Sequence, residues 1–93
     1  MPRLGIGLPV YNGERYLPTV LESLRRQTYT DFEVTVCDNA STDATPRIVA
    51  ELAAVDPRFR YLRNETNIGA PGNFNRAFAC SRGELFAWVA ADD

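Results

Sequence analysis

Apolar runs and helical periods alternate along this sequence from one end to the other, the pattern of βαβ units wrapped around a parallel sheet. The run Leu4 to Val10 is apolar on both faces and stops at Asn12-Gly13, as a central buried strand followed by a turn should. Leu17, Val20, Leu21 and Leu24 then recur at helical spacing, with Pro18 placed where a first turn tolerates it. Phe32 to Cys37 is rich in valine and runs into the polar cluster Asp38 to Asp43, which reads as a second strand and its loop. Asp43 or Thr45 can cap the next helix, whose stripe Ile48, Val49, Leu52 and Val55 ends at Asp56-Pro57. A short third strand, Phe59 to Leu62, leads to a loop from Asn64 to Gly72. Phe74, Ala77 and Phe78 mark a third helix, closed by Ser81-Arg82-Gly83, and Leu85 to Ala90 forms a fourth strand before Asp92-Asp93. The predicted order is β-α-β-α-β-α-β with right-handed crossovers.

With 93 residues there is room for one small domain or a piece of a larger one, burying roughly 60–65% of the unfolded chain's surface. Histidine is absent and all ten basic residues are arginine. No imidazole base, histidine metal ligand, Schiff-base lysine or P-loop lysine is therefore available, and chemistry must run on carboxylates, amides and hydroxyls. Ten arginines against twelve acids leave a net charge of -2, which argues against a nucleic-acid backbone as partner and for a small ligand.

Cys37 and Cys80 lie in apolar runs at a spacing that fits no zinc or redox motif, so both are expected as buried free thiols. The sequons Asn39-Ala40-Ser41 and Asn64-Glu65-Thr66 read as chance matches. No segment approaches the roughly 18 apolar residues of a membrane span, and a cytoplasmic location is the expectation.

In parallel sheets ligands bind beyond the carboxyl ends of the strands, and three such ends carry conspicuous residues here. Pro9 to Asn12 follow strand one, Asp38 follows strand two and Asp92-Asp93 follow strand four. Adjacent carboxylates after an apolar strand either reach water or share a hard divalent cation. Asp38 either shapes a turn or accepts hydrogen bonds from a ribose or a base. Tyr11 either packs or stacks on a base, and the loop Asn67 to Asn73 precedes a helix whose first amides can face an anion. Gly5-Ile6-Gly7 resembles a dinucleotide fingerprint only superficially. Its glycines sit inside the strand, where small residues allow close packing under a helix.

In their order along the chain, Leu8-Pro9-Val10-Tyr11-Asn12, Leu17 with Ser23 and Gln27, and Asp38-Asn39-Ala40-Ser41-Thr42-Asp43 form a series. Asn67-Ile68-Gly69, Asn73 to Ala77, Gly83-Glu84-Leu85 and Asp92-Asp93 continue it. The series resembles the opening of the family 2 glycosyltransferases of the GT-A fold. That resemblance implies a Rossmann-like three-layer α/β/α domain with a mainly parallel sheet in the order 3-2-1-4. It implies a donor site for a nucleotide-diphosphate sugar of UDP, GDP or dTDP type, with Pro9, Tyr11, Asp38, Gly69, Asn73 and Asp92 about the nucleotide. Asp93 and Asp92 would hold Mn2+ or Mg2+ in a DXD-like motif that reads Ala90-Ala91-Asp92-Asp93 here, so the metal falls chiefly to Asp93.

The catalytic base and acceptor site belong, by the same resemblance, to a downstream half. Residues 1–93 are then expected to be the N-terminal nucleotide-sugar-binding part of a truncated GT-A domain, inactive alone and assigned no catalytic residue. The acceptor is unknown, and a membrane-associated pathway is one setting for such an enzyme. A non-catalytic binding or interaction module and a sugar nucleotidyltransferase are the alternatives. The second would need a glycine-rich basic loop that Tyr11-Asn12-Gly13 does not supply. Strand four, Leu85 to Ala90, carries no charge or proline, so a homo-oligomer through that edge is expected.

Overall fold

The computed structural model describes residues 2–89. Its elements are β1 (Leu4–Val10), α1 (Leu17–Arg25), β2 (Phe32–Asp38), α2 (Thr45–Val55), β3 (Phe59–Arg63), α3 (Ala70–Cys80) and β4 (Leu85–Trp88). All pairings are parallel, and the sheet order is β3-β2-β1-β4. The chain steps outward from β1 to β3 and then returns to the far side of β1. A right-handed crossover in the reverse direction requires the opposite face of the sheet. Accordingly α2 packs on β2 and β3 and against α1, while α3 lies across β1 and β2 from the other side.

The two faces differ in chemistry. Ile6, Leu8 and Val10 of β1 stand beside Val34 and Val36 of β2, and with Leu17, Leu21, Val49, Phe32 and Phe59 they form the apolar core under α1 and α2. The α3 face carries Gly5, Gly7, Glu33, Thr35 and Cys37 instead. Gly7 permits the close approach, since a Cβ there would lie 2.8 Å from the Phe86 ring and 3.2 Å from the Ala77 methyl. The glycines of β1 thus serve packing beneath a helix.

A charge cluster fastens the lower edge of that face. Glu33, buried on β2, accepts two hydrogen bonds from Arg82, at 2.9 and 2.6 Å, and one from Arg60 at 3.3 Å. Arg60 also donates to Thr35 Oγ1 and to the Cys80 carbonyl at the end of α3. One carboxylate therefore joins β2, β3 and the segment entering β4.

Several boundaries move from their sequence-based positions. β2 runs to Asp38 and β3 to Arg63, because the ladder continues through polar residues whose side chains are satisfied at the sheet's end. The third helix starts at Ala70, inside the expected loop, since Pro71 fits a first turn. The N-cap of α2 is Ala44, but Asp43 just before it accepts the Thr45 N–H at 2.8 Å, so the expected capping is supplied from one residue further out. Strand four ends at Trp88 among the described residues, and the expected Ala90 lies outside them. Cys37 is buried as expected, and burial pushes its thiol up to about 11, whereas Cys80 is only half-buried. No helix among the described residues is long and apolar enough to cross a membrane.

The Arg82 hydrogen bonds hold the Glu33 carboxyl below its ordinary value of 4.5, against the opposing effect of burial. A depressed carboxyl contributes stability that is complete above its unfolded pKa and lost as pH falls through the lower folded value. Glu33→Gln should therefore cost on the order of 1 kcal/mol at neutral pH, reduced by the solvent exposure of Arg82. Thermal melts from pH 7 to pH 3 should show the gap between wild type and variant closing below pH 4.5. A gap that stays constant to pH 3 would refute the assignment.

Candidate functional site

The carboxyl edge of the sheet opens between β1 and β4, where the crossovers change direction and such folds bind ligands. Among the described residues the last rung between these strands is the Val89 N–H to the Gly7 carbonyl at 2.9 Å. Pro9, two residues on, has no N–H to donate to a neighbouring strand. Tyr11 follows the end of β1 and is half exposed at 50%.

The loops after β1 and β2 are tied to each other. Ser41 Oγ accepts the Asn12 N–H at 2.8 Å, and Asn12 Oδ1 accepts the Thr42 N–H at 2.8 Å. Thr45 Oγ1 and Asp43 Oδ2 accept the N–H groups of Gly13 and Glu14. Burial works against ionisation of Asp43, but hydrogen bonds from Thr45 and Glu14 prevail and its carboxyl stays low. Two residues in this region adopt the left-handed conformation, Asn12 at φ 51° and Ala40 at φ 64°. Asparagine tolerates that region, and alanine occupies it at a cost of about 1–2 kcal/mol.

Asp38 ends β2 with 0% of its surface exposed. Its Oδ1 accepts the Ser41 N–H at 2.9 Å, and its Oδ2 accepts the Tyr61 hydroxyl and Arg63 Nη1, the latter at 3.2 Å. Arg63 Nη2 reaches the Ser41 carbonyl at 2.9 Å. Burial, reinforced by the neighbouring carboxylate, pushes the Tyr61 hydroxyl above its ordinary pKa.

On the α3 side a chain of asparagine amides does the equivalent work. Asn39 Nδ2 donates to Asn67 Oδ1 at 2.8 Å, and its Oδ1 accepts Asn64 Nδ2 at 3.0 Å and the Ile68 N–H at 2.9 Å. Asn64 also donates to Asn73 Oδ1, and Asn73 donates to the Cys37 carbonyl, both at 2.9 Å. Asn67 Oδ1 further accepts the N–H of Gly69, which caps α3 at φ 83°. The chain fixes the loop before α3 against the end of β2. Both sequon asparagines, Asn39 and Asn64, are buried within it, so neither amide is open to a glycan.

The residues singled out from the sequence divide accordingly. Tyr11 and Gly69 are exposed at the carboxyl edge, whereas Pro9, Asp38 and Asn73 are buried beneath it. Asp92 and Asp93 lie outside the described residues. Among the described residues no cluster of acidic or cysteine side chains could hold a metal ion. Sequence reasoning assigned no site role to Tyr61, Arg63 or Asn64. Tyr61 and Arg63 alternate on β3 toward the face that Asp38 occupies, a signal readable only once the strand register is known.

Residues 6–93 match the model of glycosyl transferase family 2, and the chain belongs to that family. The fold accords with it, and the family is enzymatic. The chain is 38% identical to EpsH of Bacillus subtilis strain 168, a protein provisionally named as a glycosyltransferase, over 99% of this chain and 26% of that protein. It is also 38% identical to chondroitin synthase of Escherichia coli, over 100% of this chain and 13% of the synthase. S. aureus TarS 1–349, crystallised in complex with UDP, superposes with a TM-score of 0.87 at 33% identity, over 97% of this chain and 27% of that chain. The mannosyltransferase PcManGT of Pyrobaculum calidifontis, in complex with GDP-Man and Mn2+, gives a TM-score of 0.87 at 29% identity, over 98% and 28% of the two chains. The chain thus spans about a quarter or less of the length of these proteins.

Replacing the strained Ala40 tests the loop geometry. Ala40→Gly should stabilise the fold by up to about 1 kcal/mol, the relief of left-handed strain less the added freedom of glycine in the unfolded chain. The Tm should rise by several degrees. A fall would show that residue 40 is unstrained.

Proposed function

We propose that this chain is the donor-binding part of a glycosyltransferase, taking a nucleotide-diphosphate sugar of UDP, GDP or dTDP type at the carboxyl edge between β1 and β4. The observation that carries this reading is the family match over residues 6–93, on a parallel sheet whose order reverses between β1 and β4. UDP in TarS and GDP-Man with Mn2+ in PcManGT support the ligand class. Tyr11 offers an aromatic face to the base. Gly69 brings backbone close to the nucleotide, and Pro9 and Asn73 shape the floor from beneath.

Asp38 and Asp43 are engaged by hydrogen bonds within the protein, so a cation falls to Asp92 and Asp93, three and four residues along the chain from Val89. Two adjacent carboxylates suit Mn2+ or Mg2+. Bound by these carboxylates, such an ion would supply charge neutralisation at the diphosphate of the donor. The base that takes the hydroxyl proton belongs, on this reading, to sequence following Asp93, and a non-catalytic nucleotide-binding module is the alternative for the 93 residues alone.

Calorimetry with UDP, GDP and dTDP should show weak binding of at least one, strengthened by Mn2+. Asp93→Asn should remove the metal dependence and leave metal-free binding unchanged. Failure of all three nucleotides at millimolar concentration with Mn2+ would refute the donor site.

The partner reading concerns β4. Its outer edge is unpaired among the described residues, and Leu85–Trp88 carries no charge, whereas the opposite edge, β3, carries Arg60 and Arg63. Phe74, Phe78, Phe86 and Trp88 form a cluster with ring centroids 4.8–6.2 Å apart, and Phe78 and Trp88 are more than a third exposed. Two copies of the 93-residue chain are expected to pair along β4. Light scattering at micromolar concentration should give a dimer or larger species that Trp88→Lys dissociates, and a monomeric wild type would overturn the pairing.

A further inference from the structure

We infer that Asp38 is a positioning residue, which holds the loop Asn39 to Asp43 and its left-handed Ala40 in place through Ser41, Tyr61 and Arg63 and makes no contact with a ligand itself. The binding consequence rests on the donor-site reading above, while the conformational consequence stands without it.

The geometry carries the inference. Asp38 has no exposed surface, and its carboxylate already accepts three donors from three parts of the fold: the Ser41 backbone, the Tyr61 hydroxyl and the Arg63 guanidinium. A ligand hydroxyl or base N–H has no route to an oxygen sealed in this way. What the carboxylate controls is Ser41. Its N–H is bound to Asp38, its carbonyl to Arg63, and its hydroxyl oxygen accepts the Asn12 N–H, so the same residue sets the loops after β2 and after β1. Ala40 lies between Asp38 and Ser41 at φ 64°, a conformation that alanine does not hold unaided. Asp38 is therefore the anchor of a strained turn, and Tyr61 and Arg63 fix the anchor from β3.

Three substitutions separate positioning from contact. Asp38→Asn sets an amide N–H2 against two donors. Tyr61→Phe removes one donor while leaving the carboxylate, and this milder change covers the possibility that Asp38→Asn fails to fold. Ala40→Gly removes the strain that the anchor opposes. Amide hydrogen exchange followed by NMR should show the Ser41 and Asn12 amides losing protection by about tenfold in Tyr61→Phe, roughly the worth of one hydrogen bond, relative to the Val34 amide in the core. Adding Ala40→Gly to either variant should restore most of it. UDP affinity in the presence of Mn2+ should follow the same order, reduced in Tyr61→Phe and recovered in the Tyr61→Phe/Ala40→Gly pair.

A direct contact predicts the reverse. Tyr61→Phe would then bind UDP as wild type does, and Ala40→Gly would not rescue Asp38→Asn. That result overturns the inference. If wild type binds no nucleotide, the donor reading fails and hydrogen exchange alone decides: unchanged Ser41 and Asn12 protection in Tyr61→Phe overturns positioning, and selective loss with rescue by Ala40→Gly upholds it.

Discussion

A carboxylate removed from water has to be satisfied by the protein, and the upper end of this sheet is built around that requirement at Asp38. Three donors from separate elements meet on one side chain, and each brings its element with it. The Tyr61 and Arg63 bonds fix the end of β3 against β2, and the Ser41 bond folds the following loop back over the strand. Through Ser41 Oγ the constraint passes to Asn12 and so to β1. The loops after β1 and β2 therefore form one unit, tied to the most buried part of the sheet. The arrangement also offsets the cost of about 1–2 kcal/mol of holding Ala40 in the left-handed conformation.

The two faces of the sheet meet the demands of burial differently. Under α1 and α2 the core is aliphatic, where area removed from water supplies stability without directional bonds. Under α3 it is small and polar, and position is set by hydrogen bonds: Glu33 with its two arginines at the lower edge and the asparagine chain at the upper one. This division places directional bonds at the start of α3 and aliphatic packing under α1 and α2. Directional bonds define where a loop sits, whereas aliphatic packing tolerates small shifts.

Most of the fold was legible in the sequence because its apolar runs and helical stripes are unambiguous and the switches between them are marked by Asn12-Gly13, Asp56-Pro57 and Gly83. Boundaries moved where polar residues continue an element, as at Asp38 and Arg63, since period and hydropathy carry no sign of a partner on another strand. Of the candidate site residues, Tyr11 and Gly69 are exposed at the carboxyl edge where that reasoning places them. The work of Asn64, Tyr61 and Arg63 was not legible, because it depends on register and on contacts between residues more than twenty positions apart.

The asparagine chain carries one further consequence. Amides neither gain nor lose a proton in the physiological range, and the chain contains no histidine. Nearby, Tyr61 is pushed above its ordinary pKa, Cys37 is raised to about 11 and Asp43 is held low. The asparagine chain and these three groups are thus acid–base silent around neutrality. A response to small changes in acidity at this end of the sheet has to arise in groups other than these.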